Sequence, residues 1–341
     1  MVAPPPARQP LLAVDDLVVS FDGPLGTYRA LNGVSFHVDA GETLAILGES
    51  GSGKSVTVRA VMALLPRHSA RVERGTVRYA GEEISAKPVR RTRELSATEI
   101  AMVFQDSLTA LNPVVRVGQQ IAELFRVRQR LSRREAWQRA VAGLDRVGIP
   151  NAAKRAHDYP HQFSGGMRQR VVIAMALALR PKLLIADEPT TALDVTVQAQ
   201  IMDLLRELRE ADGMAMILIT HDLGVVADVA DRVAIMYAGT VVESGPLRQV
   251  YDAPAHPYTR GLMNSVPAPD RPGSRLTPIE GMPPSPLHPP TGCPFHPRCP
   301  VARANCRTDR PTLRIVAAGH QAACHYAQEV MTGVDTVKGA A

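Results

Sequence analysis

Two short apolar runs, Thr43–Leu47 and Leu183–Ala186, stand out because neither alternates with polar residues. Such runs suit parallel strands covered on both faces, since alternation is needed only where one face meets water. Ala215–Thr220 reads as a third core strand, and Val233–Tyr237 with Thr240–Glu243 as a hairpin around Ala238-Gly239. Helical patterns fall between them at Val56–Leu65, Met167–Leu179 and the amphipathic Val195–Ala211. Ser132-Arg133-Arg134-Glu135 is a capping-box pattern; it opens a helix through about Val147, where Gly148-Ile149-Pro150 stops it. The order predicts an α/β fold with a β-rich edge and core over Leu11–Phe104. A mainly helical stretch follows over Asp106–Val172, and the core resumes from Pro181.

The character changes after Asp252. Fifteen of the 28 prolines lie between Pro254 and Pro311, including PPSPLHPP at Pro283–Pro290. Ordinary helix or central strand is not expected there. The same region holds all four cysteines, Cys293, Cys299, Cys306 and Cys324, spaced C-x5-C-x6-C-x17-C. Disulfides are disfavoured in a cytosolic protein, so this clustering points to a shared metal site. Four thiolates suit an iron–sulfur cluster or zinc, although the C-x2-C knuckle of structural zinc is missing. Free or partly buried thiols are the plainer reading.

No segment approaches the length needed to cross a bilayer, since the longest apolar run, Val171–Leu179, has nine residues. The N-terminus also lacks a signal-peptide pattern. A soluble, cytosolic chain is expected unless a partner holds it at the membrane. The formal net charge of +6 comes almost entirely from Arg. Because the arginines are scattered and aromatics are only 4%, solvated faces are favoured over nucleic-acid binding.

The chemistry begins at Gly48–Ser55, GESGSGKS, which fits the phosphate-loop pattern G-x-x-x-x-G-K-[ST]. Its glycines allow backbone N–H groups to turn inward around phosphates, at a point where a strand leads into a helix N-terminus. Lys54 would reach the β- and γ-phosphates, and Ser55 would ligate Mg²⁺. The expected ATP contacts are Gly48, Glu49, Ser50, Gly51, Ser52, Gly53, Lys54, Ser55 and Val56. Asp187, ending the second apolar strand, would hold the Mg²⁺ shell, and Glu188 would position the attacking water.

Further motifs resemble the ATP-binding-cassette (ABC) family. Phe163-Ser164-Gly165-Gly166-Met167-Arg168-Gln169-Arg170 is similar to its signature, with Phe163 in place of the more usual Leu and Met167 in place of Gln. Gln105 stands where the family has its Q-loop glutamine, Ala192-Leu193-Asp194 where it has its D-loop, and His221 where it has its switch histidine. The resemblance covers roughly Leu11–Val250. It implies a P-loop NTPase cassette over 11–252, with a mixed-sheet core, a β-rich edge and a helical subdomain at about 106–172. Gln105 would join the Mg²⁺ ligands, and His221 would contact the γ-phosphate. Ser164, Gly165, Gly166 and Met167 would complete the opposite site of a head-to-tail dimer. Phe21, or alternatively Tyr28, would stack on adenine.

Downstream, AHPYTRGLMNSVP at Ala255–Pro267 and GCPFHPRCPVARANC resemble the C-terminal extension of oligopeptide/dipeptide importer ATPases, D-type subunit. This predicts a small, irregular Pro/Cys-rich extension over 253–328, with 1–10 and 329–341 flexible. The resemblance implies a [4Fe–4S] cluster on the four cysteines, with zinc as the alternative. It also implies an F-type ATPase partner, two transmembrane permease subunits and, indirectly, a substrate-binding protein, all at the cytoplasmic face of the membrane. The competing reading is a soluble ABC ATPase acting on nucleic acid or ribosomes. Such forms usually carry two cassettes or a coiled-coil insertion. Here there is one phosphate loop, and only 110 residues separate Lys54 from Ser164.

Overall fold

The computed structural model describes residues 9–85, 92, 94–95, 98–105, 110–191, 193–265 and 278–333. The chain packs as two compact units. One takes residues 9–38, 43–85, 220–265 and 278–333, and the other takes 39–42 and the described part of 87–219.

In the first unit, Leu12–Gly23 pairs antiparallel with both Gly26–Val38 and Ala70–Tyr79, which makes the predicted β-rich edge. Thr43–Leu47 forms as expected and is buried throughout. It runs parallel to Arg232–Tyr237, which turns through Ala238 (φ 46°) and Gly239 (φ 75°) into the antiparallel Thr240–Pro246. Positive φ at both turn residues matches the right-handed twist of the strands, so the hairpin forms where the sequence placed it. The helix after the phosphate loop spans Lys54–Val61 and stops short of the expected Leu65. Ala63 takes a left-handed conformation (φ 53°), and Pro66 lies too close downstream for the helix to continue.

The extension is not a separate compact unit and is not irregular throughout. His320–Ala322 pairs with Thr240–Pro246, and Arg314–Ala317 pairs with His320–Ala322, so the tail adds a hairpin to a core strand. This stretch follows the last proline, Pro311, so every residue in it can donate to the ladder. Pro257–Asn264 is a helix because Pro257 occupies its first position, where a missing N–H is harmless. Within the described part, 283–290 carries no helix or strand, as its prolines require. The expected end of the extension at 328 falls inside the helix Ala327–Met331, whose Val330 is buried. Residues 1–8 and 334–341, where flexible ends were expected, lie outside the described residues.

In the second unit, Leu183–Asp187 is fully buried between parallel Ile100–Val103 and Ala215–Thr220. Helices Val117–Gln129, Arg133–Arg146, Ala152–Arg155 and Gly165–Leu177 fill the stretch predicted to be helical. Ser132 caps the second of these with both bonds of the capping box, and Gly148 (φ 73°) follows its end.

Candidate functional site

The phosphate loop is built around backbone that only glycine permits. Gly48, Gly51 and Gly53 take φ of 153°, 79° and 105°. A Cβ on Gly48 would lie 2.3 Å from the Met236 carbonyl oxygen, and one on Gly53 would lie 2.8 Å from Leu31 Cδ2. The loop is thus wedged between the Arg232–Tyr237 strand and the chain at Ala30–Leu31. Lys54, 5% exposed, donates to the carbonyls of Gly48 (2.7 Å) and Glu49 (3.0 Å). Ser52 Oγ is buried with no hydrogen-bond partner among the described residues. A buried hydroxyl left unsatisfied within the loop fits a site that takes a polar ligand, which would supply its missing partner. The Lys54–Val61 helix begins at this loop and adds a positive field. Glu49 adds a charge of the wrong sign for a polyanion, and the structure neutralises it. Arg298 holds both its carboxylate oxygens, at 2.8 and 3.1 Å.

His221 follows the Ala215–Thr220 strand and lines a cavity of ≈ 230 Å³ with Gly48 and Glu49. Its backbone is fixed by neighbours: Asp222 N–H donates to Thr220 Oγ1, and the Asp222 carboxylate caps the Leu223–Ala227 helix. The two adenine candidates stack on each other, Phe21 on Tyr28, with ring centroids 5.8 Å apart on paired strands.

In the second unit, Asp187 ends the buried strand at 1% exposure. Glu188 follows in a left-handed conformation (φ 48°), which is costly for a residue with a Cβ. Its N–H is held by the Ile219 carbonyl at 2.9 Å. Its Oε2 accepts from Gln105 Nε2 (2.8 Å) and from Thr191 Oγ1 (3.0 Å). Gln105 and Glu188, 83 residues apart, are therefore brought into contact. Thr191 was missed from the sequence, although its position three residues beyond Glu188 in a turn was a usable signal.

Ser164 caps the Gly165–Leu177 helix by accepting from Met167 N–H. A Cβ on Gly166 would lie 2.6 Å from Val197 Cγ1, so the second signature glycine is set by contact with the Val195–Asp212 helix. Asp194 caps that helix, accepting from Val197 N–H at 2.9 Å, so the signature and the D-loop aspartate are neighbours. Ala192 lies outside the described residues. Of the expected Mg²⁺ ligands, Ser55 belongs to one unit and Gln105 and Asp187 to the other.

The four cysteines do converge: Cys293, Cys299, Cys306 and Cys324 line a single cavity of ≈ 20 Å³. Cys293 N–H donates to the Cys306 carbonyl at 2.9 Å. Burial pushes the Cys299 thiol up to about 12 and the Cys324 thiol up to about 11, and neighbouring thiolate charge pushes the same way. Among the described residues, however, no group of three or more His, Cys, Asp or Glu side chains is disposed to hold a metal ion. The metal expectation is corrected to this extent: a shared cavity is present, and a ready-made ligand shell is not. Ligation requires thiolates, and burial favours the neutral form of Cys293, Cys299 and Cys324.

Sequence reasoning quoted Arg298 and Tyr258 only inside the two motifs of the extension and gave neither a role. Besides pairing with Glu49, Arg298 donates to the Ile279 and Glu280 carbonyls. The Tyr258 hydroxyl accepts from Glu49 N–H at 2.8 Å. Partners 249 and 209 residues away leave no local pattern to read.

Comparison with known proteins bears on this geometry. Residues 31–191 match the family described as "ABC transporter", and 242–306 match "Oligopeptide/dipeptide transporter, C-terminal region". The chain is 52% identical to the oligopeptide transport ATP-binding protein OppD of Salmonella typhimurium over 322 residues, covering 94% of this chain and 95% of that one. It is 48% identical to the dipeptide transport ATP-binding protein DppD of Bacillus subtilis, covering 92% and 94%. Among solved structures it resembles the dimeric, post-hydrolysis ATP-binding cassette MJ0796 bound to ADP and Pi. The TM-score is 0.62 at 28% identity, covering 70% of this chain and 99% of that one.

Proposed function

The chain belongs to the ATP-binding subunits of oligopeptide/dipeptide ABC transporters, and from that premise we propose how its residues divide the work. It is an ABC-type ATPase that couples ATP hydrolysis to import, with di- and oligopeptides as cargo. Gly48–Val56 bind the phosphates, Lys54 neutralises charge on the β- and γ-phosphates, and Ser55, Gln105 and Asp187 hold Mg²⁺. Glu188 orients the attacking water and His221 contacts the γ-phosphate. Ser164, Gly165, Gly166 and Met167, with Asp194 beside them, serve the nucleotide of the partner ATPase. Phe21 or Tyr28 stacks on adenine. The observation that carries this reading is the glycine loop itself, with its buried, unpartnered Ser52 hydroxyl and no room for a Cβ at Gly48.

ATPase subunits of this family work with transmembrane permease subunits. Among the described residues, no helix is long and apolar enough to cross a membrane. The specific assembly proposed is one copy of this chain, an F-type ATPase and two permeases at the cytoplasmic face, supplied by a substrate-binding protein. Mass spectrometry after pulling the tagged chain from detergent-solubilised membranes is expected to recover two polytopic proteins and a second cassette ATPase. Recovery of only soluble or ribosomal partners would favour the nucleic-acid alternative.

A second proposal is that a [4Fe–4S] cluster is held by Cys293, Cys299, Cys306 and Cys324, whose thiols would have to move apart from their cavity of ≈ 20 Å³ to admit it. The supporting observation is the convergence of all four thiols on one cavity. Anaerobic purification is expected to yield stoichiometric iron and acid-labile sulfide. Stoichiometric zinc would instead select the alternative, and the absence of both metals would leave four free thiols, two buried and two half-buried.

A further inference from the structure

We propose that Arg298, carried by the Cys-rich extension, is the counter-charge of the phosphate loop, so that docking of the extension sets the affinity for MgATP. The inference rests on Gly48–Ser55 being the ATP-binding loop. Glu49 is the second residue of that loop, so its carboxylate is carried on the segment that would receive the polyanion. Its backbone carbonyl accepts from Lys54 Nζ at 3.0 Å, so the acidic residue and the phosphate-seeking lysine are immediate neighbours. An unneutralised carboxylate there would repel the nucleotide at short range in a partly desolvated cleft.

The neutralising group is built in with care. The Arg298 side chain is only 6% exposed, and it grips Glu49 through both terminal nitrogens. Its remaining donors are used by the Glu280 and Ile279 carbonyls and by the Tyr237 hydroxyl, so it cannot swing away without stranding several acceptors. Tyr258, also from the extension, takes the Glu49 N–H and fixes the backbone of the same residue. The extension further supplies Leu262, Ser265, Pro278 and Ile279 to the wall of the cavity that holds Gly48, Glu49 and His221. Three independent contacts therefore join a segment otherwise remote in sequence to one loop. Arg298 acts through Glu49 and is a positioning residue.

The test is a double-mutant cycle on the full chain, reading the Kd for MgATP by calorimetry with turnover blocked by chilling. Arg298→Gln strands the Glu49 charge and is expected to raise Kd about tenfold, the scale of one unpaired charge near a polyphosphate. Glu49→Gln alone removes the repulsion and leaves the Arg298 charge uncompensated beside the loop, so Kd is expected to fall. The decisive variant is Glu49→Gln combined with Arg298→Gln, expected to return Kd to within about threefold of wild type. An arginine that acted only by holding the Ile279 and Glu280 carbonyls would not be rescued by a substitution at Glu49. Wild-type affinity in Arg298→Gln, or a double variant as weak as Arg298→Gln, would overturn the proposal. Should Arg298→Gln fail to fold, Glu49→Gln decides alone: a lowered Kd supports the proposal, and a Kd unchanged or raised overturns it. Lys54→Ala separates the two levels of the argument. If it binds MgATP as wild type does, the phosphate-loop reading itself fails. If it abolishes binding while the cycle shows no coupling, only the role of Arg298 fails.

Discussion

Glu188→Gln is expected to lower ATP turnover by about 10²–10⁴-fold, the range for removing a positioned general base, while MgATP binding persists. The substitution keeps the shape of the side chain, so it can still be held by Gln105 and Thr191, and the backbone bond to the Ile219 carbonyl is untouched. What disappears is the negative charge proposed to polarise the attacking water. The left-handed backbone at Glu188 (φ 48°) aims the side chain off the end of a buried strand, a conformation kept only where the surroundings enforce it. Steady-state phosphate release, paired with a calorimetric Kd for MgATP, separates the two effects. Loss of kcat with an unchanged Kd supports the assignment, since the interaction would then matter only in the transition state. Turnover within threefold of wild type would show that another group positions the water.

The largest expected effect on stability is at Glu243. This carboxylate is wholly buried on the Thr240–Pro246 strand, and it accepts from the N–H groups of Ala255 (2.7 Å) and His256 (2.9 Å) and from His320 Nε2 (2.8 Å). It therefore anchors both ends of the extension to a core strand. Glu243→Ala leaves three buried donors without an acceptor, and its cost is about 3–5 kcal/mol, as for breaking other buried pairs. The melting temperature should fall by about 10 °C, at a few degrees per kcal/mol for a domain of this size. Limited proteolysis should cut first in the freed extension. Glu243→Gln retains one acceptor oxygen and should lose less. A melting temperature within a degree of wild type would show that the anchor is replaceable. If the extension is also the source of the Arg298 counter-charge, its release should weaken MgATP binding in the same variant.

Much of this was legible along the chain because the determining interactions are local. The buried strands Thr43–Leu47, Leu183–Asp187 and Ala215–Thr220 follow from unbroken apolar runs, and the Ser132 capping box closes within three residues. The phosphate loop is recognisable because inward-facing N–H groups demand glycines at fixed spacing, and the family motifs recur in fixed order for the same kind of reason. Even the overestimated helix after the loop failed for a local cause, the left-handed Ala63 followed by Pro66. What the tertiary structure alone decided is which distant residues meet. The contact of Gln105 with Glu188, the closing of Gly166 against Val197, the convergence of four cysteines on one cavity and the grip of Arg298 on Glu49 have no local signature. Each depends on where the chain returns after long excursions. Hydrophobic periodicity specifies that an element has an inner face and leaves open which neighbour that face will find.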